Sequence, residues 1–263
     1  MEKRQVLFRF YEELNDFLPG NRKKVRFPYT FTGNPSVKDA IESMGVPHVE
    51  VDMILVNGIS VGFNYKIKNG DEISVYPVFE SLDIIDVQRL RPGPLRIPRF
   101  ILDVHLGRLA KYMRLCGLDT SYGEALTERE IVNISVLQKR TILTRDRALL
   151  KAKDVTHGHW IRSSKPVEQL KEVVNSFDLK SSFHPFARCL ECNGVLIVVP
   201  REEVDNRLPE RTKKYFTEFR RCPECNRIYW EGSHYERMKK FLKSVLEFSV
   251  LLCVFSVNLC VIK

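Results

Sequence analysis

The spacing of apolar residues over the first 80 positions predicts a small domain of strands around one helix. Apolar and polar positions alternate in short runs that are bounded by turn residues, as in half-buried strands. One run has helical spacing instead: it opens on a capping-box sequence at Ser36 and stops before Gly45, a residue typical of helix ends. We predict strands at 6–10, 25–31, 51–56 and 73–79, and a helix at 36–44.

The order of these elements indicates a β-grasp, or ubiquitin-like, domain at residues 1–80. Asn57-Gly58 and Asn69-Gly70 are tight-turn sequences between its later strands. The segments LVNGISV and NGDEISVYPVF resemble the sulfur-carrier branch of the fold, whose members end in a free Gly-Gly. Here the chain continues from Phe79 into further residues. We therefore expect a module that binds or positions a partner, and a sulfur-carrier-like adaptor is the less favoured alternative.

After a basic, proline-containing linker at 81–98, the pattern changes to alternating strands and helices. Leu106, Leu109, Ala110, Met113 and Cys116 recur at helical spacing and predict one buried helix face. Repeated strand–helix units of this kind predict a small three-layer α/β domain, which we place at residues 99–185. We predict strands at 100–102, 118–122, 141–144 and 159–162, and helices near 105–116, 127–139 and 166–177.

Acidic residues follow the predicted strands of this α/β domain. Asp103 closes the first strand, Asp146 follows the third, and Asp119 lies in the second. Parallel strands bring their carboxyl ends to one edge of a sheet, where ligands bind. Carboxylates that meet there repel each other, so a cation such as Mg²⁺ or Mn²⁺ would neutralise them. The alternative for Asp103 and Asp146 is that each caps the helix that follows it.

Basic residues accompany these acids and suggest contacts with phosphate. Arg145 and Arg147 flank Asp146, and Arg108 and Arg114 are six positions apart on the first predicted helix of the domain. Guanidinium groups match the geometry of phosphate oxygens. We expect all four arginines to bind a phosphodiester substrate. Glu124, Glu128 and Glu130 are weaker candidates as metal ligands, because a capping box already accounts for the last two.

Four cysteines form two CxxC pairs, at Cys189 and Cys192 and at Cys222 and Cys225. Two such turns can together give one metal ion a tetrahedral set of thiolates, and each pair precedes an asparagine and a strand-like run. The spacing predicts a zinc ribbon at 186–243. A redox pair or a chance cluster is the alternative.

Composition narrows the biological setting. The formal net charge of +9 favours a polyanionic partner, although it does not distinguish RNA from DNA or from an acidic membrane. No apolar run follows the first four residues, so we expect no signal peptide and a reducing compartment such as the cytoplasm.

The apolar tail at 244–263 is interrupted by Glu247 and Asn258, which makes a membrane anchor the less favoured interpretation. The chain contains no GxSxG, P-loop or HExxH motif.

Four motifs in order, RFILDVHLGRLAKYMRLCGLDTSY, TILTRDRALL, RCLECNGVL and FRRCPECNRIYWEGSHYERM, resemble the Mut-seven C-terminal RNase family. That family combines a PIN-like nuclease domain with a zinc ribbon, and the preceding unit resembles the ubiquitin-like domain often fused to it. The resemblance implies RNA cleavage at a metal site that includes Asp103 and Asp146.

The sequence therefore predicts a cytoplasmic ribonuclease that uses Mg²⁺ or Mn²⁺ and carries structural Zn²⁺. RNA is its expected partner, and the ubiquitin-like domain would position the RNA or a protein partner. The alternative is an RNA-binding or ribosome-associated module without catalysis.

Overall fold

The computed structural model describes residues 3–77, 90 and 98–246. The strands are β1 (Arg4–Phe10), β2 (Phe27–Phe31), β3 (Val51–Val56), β4 (Ile59–Ser60), β5 (Glu72–Pro77), β6 (Arg99–Leu102), β7 (Asp119–Ser121), β8 (Thr141–Thr144), β9 (Gly158–Trp160), β10 (Ile197–Val199), β11 (Phe219–Arg221) and β12 (Ile228–Tyr229). The α-helices are α1 (Val37–Ser43), α2 (Gly107–Leu115), α3 (Glu128–Gln138), α4 (Pro166–Ser176), α5 (Glu210–Tyr215) and α6 (Ser233–Leu246).

The N-terminal strands form one mixed sheet in the order β2-β1-β5-β3-β4. The first and last strands, β1 and β5, are parallel neighbours at its centre, and their partners β2 and β3 run antiparallel to them. Ser36 and Asp39 form the predicted capping box at the start of α1. Gly45 follows this helix with a φ of +98°, which a residue with a side chain rarely adopts. The β-grasp prediction is confirmed.

In the central region, β6, β8 and β9 form a parallel sheet. Every residue of β8 is buried, as expected for a strand covered on both faces. Leu102 pairs with Leu143, so β6 and β8 end at the same edge. Helix α3 packs against both strands. The predicted parallel sheet is therefore present, and the residues that follow β6 and β8 come close together.

The chain divides into two compact units. The first contains 1–107 and 122–162, and the second contains 108–121 and 163–263. The ubiquitin-like sheet and the parallel strands β6, β8 and β9 thus share one unit. A short turn before β3 connects them, because its Val49 packs in a common cluster with Ile142 and Leu150. The predicted domain bounds stay a prediction, because these units are defined by packing, which the sequence does not reveal.

The second unit contains α2, β7 and the C-terminal elements. Strands β10, β11 and β12 form an antiparallel sheet. Val199, Val204, Leu208 and Phe219 are buried beside it. Helix α2 buries its predicted apolar face, and α4 contacts α6. Apolar periodicity did not predict β11, α5 and α6, because their charged residues obscure it.

Most of the predicted basic linker and of the apolar tail lies outside the described residues. Among the residues that are described, no helix combines the length and the apolar character needed to cross a membrane.

Candidate active site and metal centre

Asp103 lies directly after β6, at the carboxyl edge of the parallel sheet. Its backbone N–H donates to the carbonyl oxygen of Leu143 at 3.1 Å, which extends the pairing of β6 with β8 by one residue. The residue is buried. Asp103 precedes a short 3₁₀ turn, but its side chain makes no capping hydrogen bond there. Helix capping therefore does not account for this carboxylate.

Thr144, the last residue of β8, connects the two predicted acids. Its hydroxyl group donates to Oδ2 of Asp103 at 2.8 Å and accepts the backbone N–H of Asp146 at 2.9 Å. Thr144 is completely buried. Oδ1 of Asp146 accepts the N–H of Ala148 at 2.7 Å, which closes a local turn, and no side chain caps the short 3₁₀ helix at Leu149–Lys151. One hydroxyl group thus ties the side chain of one acid to the backbone of the other.

Asp103 and Asp146 each offer the carboxylate oxygens that a divalent cation of the Mg²⁺ class prefers. Such ions are often held by one or two protein carboxylates and keep several waters for contact with a phosphate substrate. Asp146 is exposed and can reach a ligand from solvent, whereas Asp103 is buried at the carboxyl edge of the sheet. Within the described part of the chain, no third acid, histidine or cysteine joins this pair closely enough to share an ion.

The predicted arginines beside Asp146 differ in their surroundings. Arg145 is exposed. The guanidinium group of Arg147 lies 3.9 Å from the ring centroid of Trp160, a cation–π contact. Nε1–H of Trp160 donates to the carbonyl oxygen of Arg145 at 3.3 Å. Both residues next to Asp146 are therefore held by the same indole ring.

Asp119, the third predicted acid, belongs to the second unit and has partners there. Oδ1 accepts a hydrogen bond from Nδ2 of Asn193 at 2.8 Å, and Oδ2 lies 3.6 Å from the guanidinium group of Arg188. Oδ1 of Asn193 in turn accepts the backbone N–H of Thr120 at 2.9 Å. Asp119 thus connects β7 to the first cysteine turn.

The two arginines predicted on α2 differ in their exposure to solvent. Arg108 is exposed, as a substrate contact requires. Arg114 is buried, and its guanidinium group donates to the carbonyl oxygens of Thr120, Leu190 and Glu191. That Arg114 binds substrate stays a prediction, whereas the structure shows that its donors join the helix to the first cysteine turn. Equal spacing along α2 did not reveal this, since other segments cover that part of the helix.

The four predicted cysteines come together in the second unit. Each of their sulfur atoms lies within 4.8 Å of the others. Two of the separations are 3.5 Å, between Cys189 and Cys225, and 3.3 Å, between Cys192 and Cys222. Sulfurs placed tetrahedrally around zinc at its usual bond length are about 3.8 Å apart. The cluster therefore has the size and the ligand type for a metal such as zinc.

The backbone of the two cysteine turns is nearly the same. In each turn the N–H of the asparagine after the pair, Asn193 or Asn226, donates to the carbonyl oxygen of the first cysteine. Both asparagines have positive φ, +73° and +59°, a conformation that asparagine tolerates better than most residues. A Cβ atom at Gly194 would lie 2.9 Å from the sulfur of Cys222, so only glycine lets the two turns approach. These local sequences explain why the thiols converge.

The pKa values of the thiols shift in opposite directions, because burial raises the pKa of Cys192 and of Cys225. Burial raises the pKa of Cys189, but hydrogen bonds from the Tyr229 hydroxyl and from backbone N–H groups outweigh it and lower the pKa to about 7. The hydroxyl oxygen of Tyr229 lies 3.1 Å from this sulfur. By contrast, burial raises the pKa of the Cys116 thiol to about 12. Cys116 therefore remains a neutral core residue.

Sequence reasoning missed Thr144 and Trp160 as parts of the acidic site. A threonine at the end of a buried strand carries no distinctive signal. Trp160 is separated from Asp146 in the chain, and only the pairing of β8 with β9 brings it there.

Comparison with known proteins agrees with this organisation. The family model described as the Mut7-C RNAse domain matches residues 98–242, and the model described as Mut7-C ubiquitin matches residues 3–83. Neither the curated proteins nor the solved structures include a match to the chain. The first match contains both the acidic residues and the four cysteines.

Proposed function

Because the chain belongs to the Mut7-C RNAse domain family, we propose that it is a metal-dependent ribonuclease whose site contains Asp103 and Asp146. The observation that carries this proposal is the placement of both acids at the carboxyl ends of neighbouring parallel strands, joined through Thr144. The match to a nuclease family model and the sheet edge that carries two carboxylates thus coincide in one region of the chain.

In this proposal Asp103 and Asp146 would hold Mg²⁺ or Mn²⁺ together with water. The bound ion supplies an activated water and stabilises negative charge on the phosphate oxygens. Arg145 and Arg147 flank the acids and bind the phosphate by charge-assisted hydrogen bonds. Arg108 contributes a further positive charge from α2. Asp119 supports the site indirectly, because its carboxylate accepts a hydrogen bond from Asn193 and orients that turn.

We further propose that the cysteine cluster is a zinc ribbon and has a structural role. Four thiolates fill the coordination sphere of zinc and leave no position open for a substrate or water. The cluster is connected to α2 and β7 through Arg114 and Asp119. Zinc would therefore stabilise the second unit. This requirement for free thiols favours a reducing compartment such as the cytoplasm.

RNA is the proposed substrate, on the basis of the family and of the positive charge of the chain. The competing function is binding of RNA without cleavage. One observation favours it: the acidic pair lacks a third close ligand among the described residues. The two functions differ in a single property, metal-dependent turnover.

The test is cleavage of single-stranded and hairpin RNAs by the purified protein with Mn²⁺, with Mg²⁺ and with EDTA. We expect cleavage that requires metal and that falls at least about 100-fold in Asp103→Asn and in Asp146→Asn, because each variant loses a ligand charge. Asp178→Asn is the matched control. Asp178 is exposed, belongs to the second unit and has a φ of +44°, which asparagine also adopts readily.

Two results would contradict the proposal, the first its active site and the second its ribonuclease activity. The first is equal cleavage by all three variants and the parent, which would place the activity elsewhere. The second is salt-sensitive RNA binding without cleavage under any metal condition, which would support the non-catalytic alternative.

A further inference from the structure

Trp160 contacts both the ubiquitin-like domain and the parallel sheet within the first unit. Its ring lies 4.9 Å from the ring of Phe17, a buried residue of the ubiquitin-like core. It also packs against the cluster that contains Ile101 and Ile142 under the parallel sheet. The indole ring is therefore shared by two hydrophobic cores.

The same side chain holds the loop that follows β8. Nε1–H donates to the carbonyl oxygen of Arg145, and the face of the ring lies under the guanidinium group of Arg147. That guanidinium group is also 5.1 Å from the ring centroid of Phe17. Asp146 lies between these two arginines in the chain. An aromatic pair formed across the two cores thus fixes the residues on either side of a proposed metal ligand.

The backbone of Trp160 is fixed from the same direction. Its N–H donates to Oε1 of Glu50, a residue of the turn before β3 in the ubiquitin-like domain. Oε2 of Glu50 lies 3.4 Å from Nδ1 of His159. Glu50 is only 3% exposed, so this carboxylate is directed at β9 and shielded from solvent. Backbone and side chain of Trp160 are both anchored by the ubiquitin-like domain.

We propose that the ubiquitin-like domain is a working part of the nuclease site, in which Phe17 and Glu50 hold Trp160 and Trp160 positions the loop at 145–147. Phe17 and Trp160 are positioning residues, because they act on the substrate only through Arg147 and on the metal only through Asp146. The inference rests on the proposed function, since the loop at 145–147 contains the proposed metal ligand Asp146. It assigns the domain a role inside this chain, in addition to any partner that it binds.

The experiment uses the full chain and compares two identical substitutions in one hydrophobic core. Phe17 and Phe31 are each 5% exposed and belong to the same cluster, but the cation–π contact of Phe31 is with Arg4, in the ubiquitin-like domain itself. Phe31→Leu is therefore the control for Phe17→Leu. Trp160→Leu removes the ring, and Trp160→Phe keeps an aromatic face for Arg147 but lacks the N–H donor.

The first measurement is amide hydrogen exchange at Asp146 and Ala148, whose N–H groups are hydrogen-bonded within the loop. We expect exchange at least about tenfold faster in Phe17→Leu and Trp160→Leu than in the parent, and unchanged exchange in Phe31→Leu. This measurement requires no activity, so it decides the positioning role even if the protein does not cleave RNA. Equal exchange in Phe17→Leu and Phe31→Leu would overturn the inference.

The second measurement is RNA cleavage at a temperature where every variant is folded. We expect Phe17→Leu and Trp160→Leu to raise KM and lower kcat, each about tenfold, because a misplaced loop weakens both phosphate binding and the metal site. Trp160→Phe should have a KM close to that of the parent, because its ring still offers an aromatic face to Arg147. Simple destabilisation would reduce the amount of active enzyme and leave KM unchanged. Loss of kcat at constant KM, or unaltered kinetics in an active parent, would therefore also overturn the proposal.

Discussion

At the scale of single residues, one buried hydroxyl group organises the acidic site. Thr144 uses its proton for Asp103 and its oxygen for the N–H of Asp146. A buried polar group that loses its partner costs more free energy than a hydrogen bond contributes on average. Thr144 therefore affects both the stability of the sheet edge and the placement of the acids.

Replacement of Thr144 tests this role. We expect Thr144→Val, which keeps the shape of the side chain, to lower the free energy of unfolding by about 1–3 kcal/mol, because the buried carboxylate of Asp103 and the N–H of Asp146 each lose a hydrogen bond. Thr144→Ser keeps the hydroxyl group and should retain most of the stability and of the metal affinity. Urea denaturation and Mn²⁺ titration measure the two effects. Thr141→Val, at the other end of β8, is the control. If it destabilises the protein as much as Thr144→Val, the effect belongs to the strand and not to the acidic site.

At the scale of elements, the two cysteine turns are self-contained structures. Each combines the spacing of its cysteines with an asparagine in the left-handed conformation, so neighbouring residues determine most of its geometry. Arg114 and Asn193 then attach the first turn to α2 and β7. Zinc bound at the proposed site would therefore stabilise these elements together with β10, β11 and β12.

Zinc content checks this expectation. We predict one zinc ion for each chain, and loss of zinc together with earlier unfolding of the second unit in Cys192→Ser, because serine is a poor zinc ligand. Cys116→Ala is the matched control, since burial keeps that thiol neutral and it lies outside the cluster. Metal analysis and thermal unfolding provide the readouts. A full zinc equivalent in Cys192→Ser would contradict the assignment of the ligands.

At the scale of the whole molecule, packing joins segments that are far apart in the chain. The first unit unites the ubiquitin-like domain with β6, β8 and β9, and the buried Glu50 lies between them. Burial alone would raise the pKa of Glu50. His159, the N–H of Trp160 and the charge of Arg162 outweigh burial and hold the pKa below its ordinary value. The charged form of Glu50 therefore stabilises the folded state.

This shift predicts how stability depends on pH. A carboxyl group with a lowered pKa in the folded state stabilises the protein fully above its unfolded-state pKa of about 4.3, and the contribution disappears as the pH falls through the lower, folded-state value. As the pH falls below about 4.3 and through the lower, folded-state pKa, we expect Glu50→Gln to lose less stability than the parent. Denaturant unfolding at several pH values measures the slope, with exposed Glu124→Gln as the control. An equal slope in the parent and Glu50→Gln would contradict the prediction.

The sequence by itself determined the features that depend on neighbours in the chain. Apolar periodicity placed β3 and β8 at their observed bounds, the capping box placed the start of α1, and cysteine spacing identified the cluster of four cysteines. In each case the physical cause lies within a few residues, as a period, a cap or a turn. The positions of Asp103 and Asp146 after strands could also be predicted, because the apolar pattern shows where each strand ends.

Only the tertiary structure decided which segments meet. It showed that Arg114 is buried among carbonyl oxygens, that Asp119 bonds to Asn193, and that Trp160 supports the loop of Asp146. These contacts join residues that are distant in the chain, and many other sequences have the same local pattern without them. The physical reason is that burial and hydrogen bonding at such positions depend on the covering segment, and local periodicity does not record which segment that is.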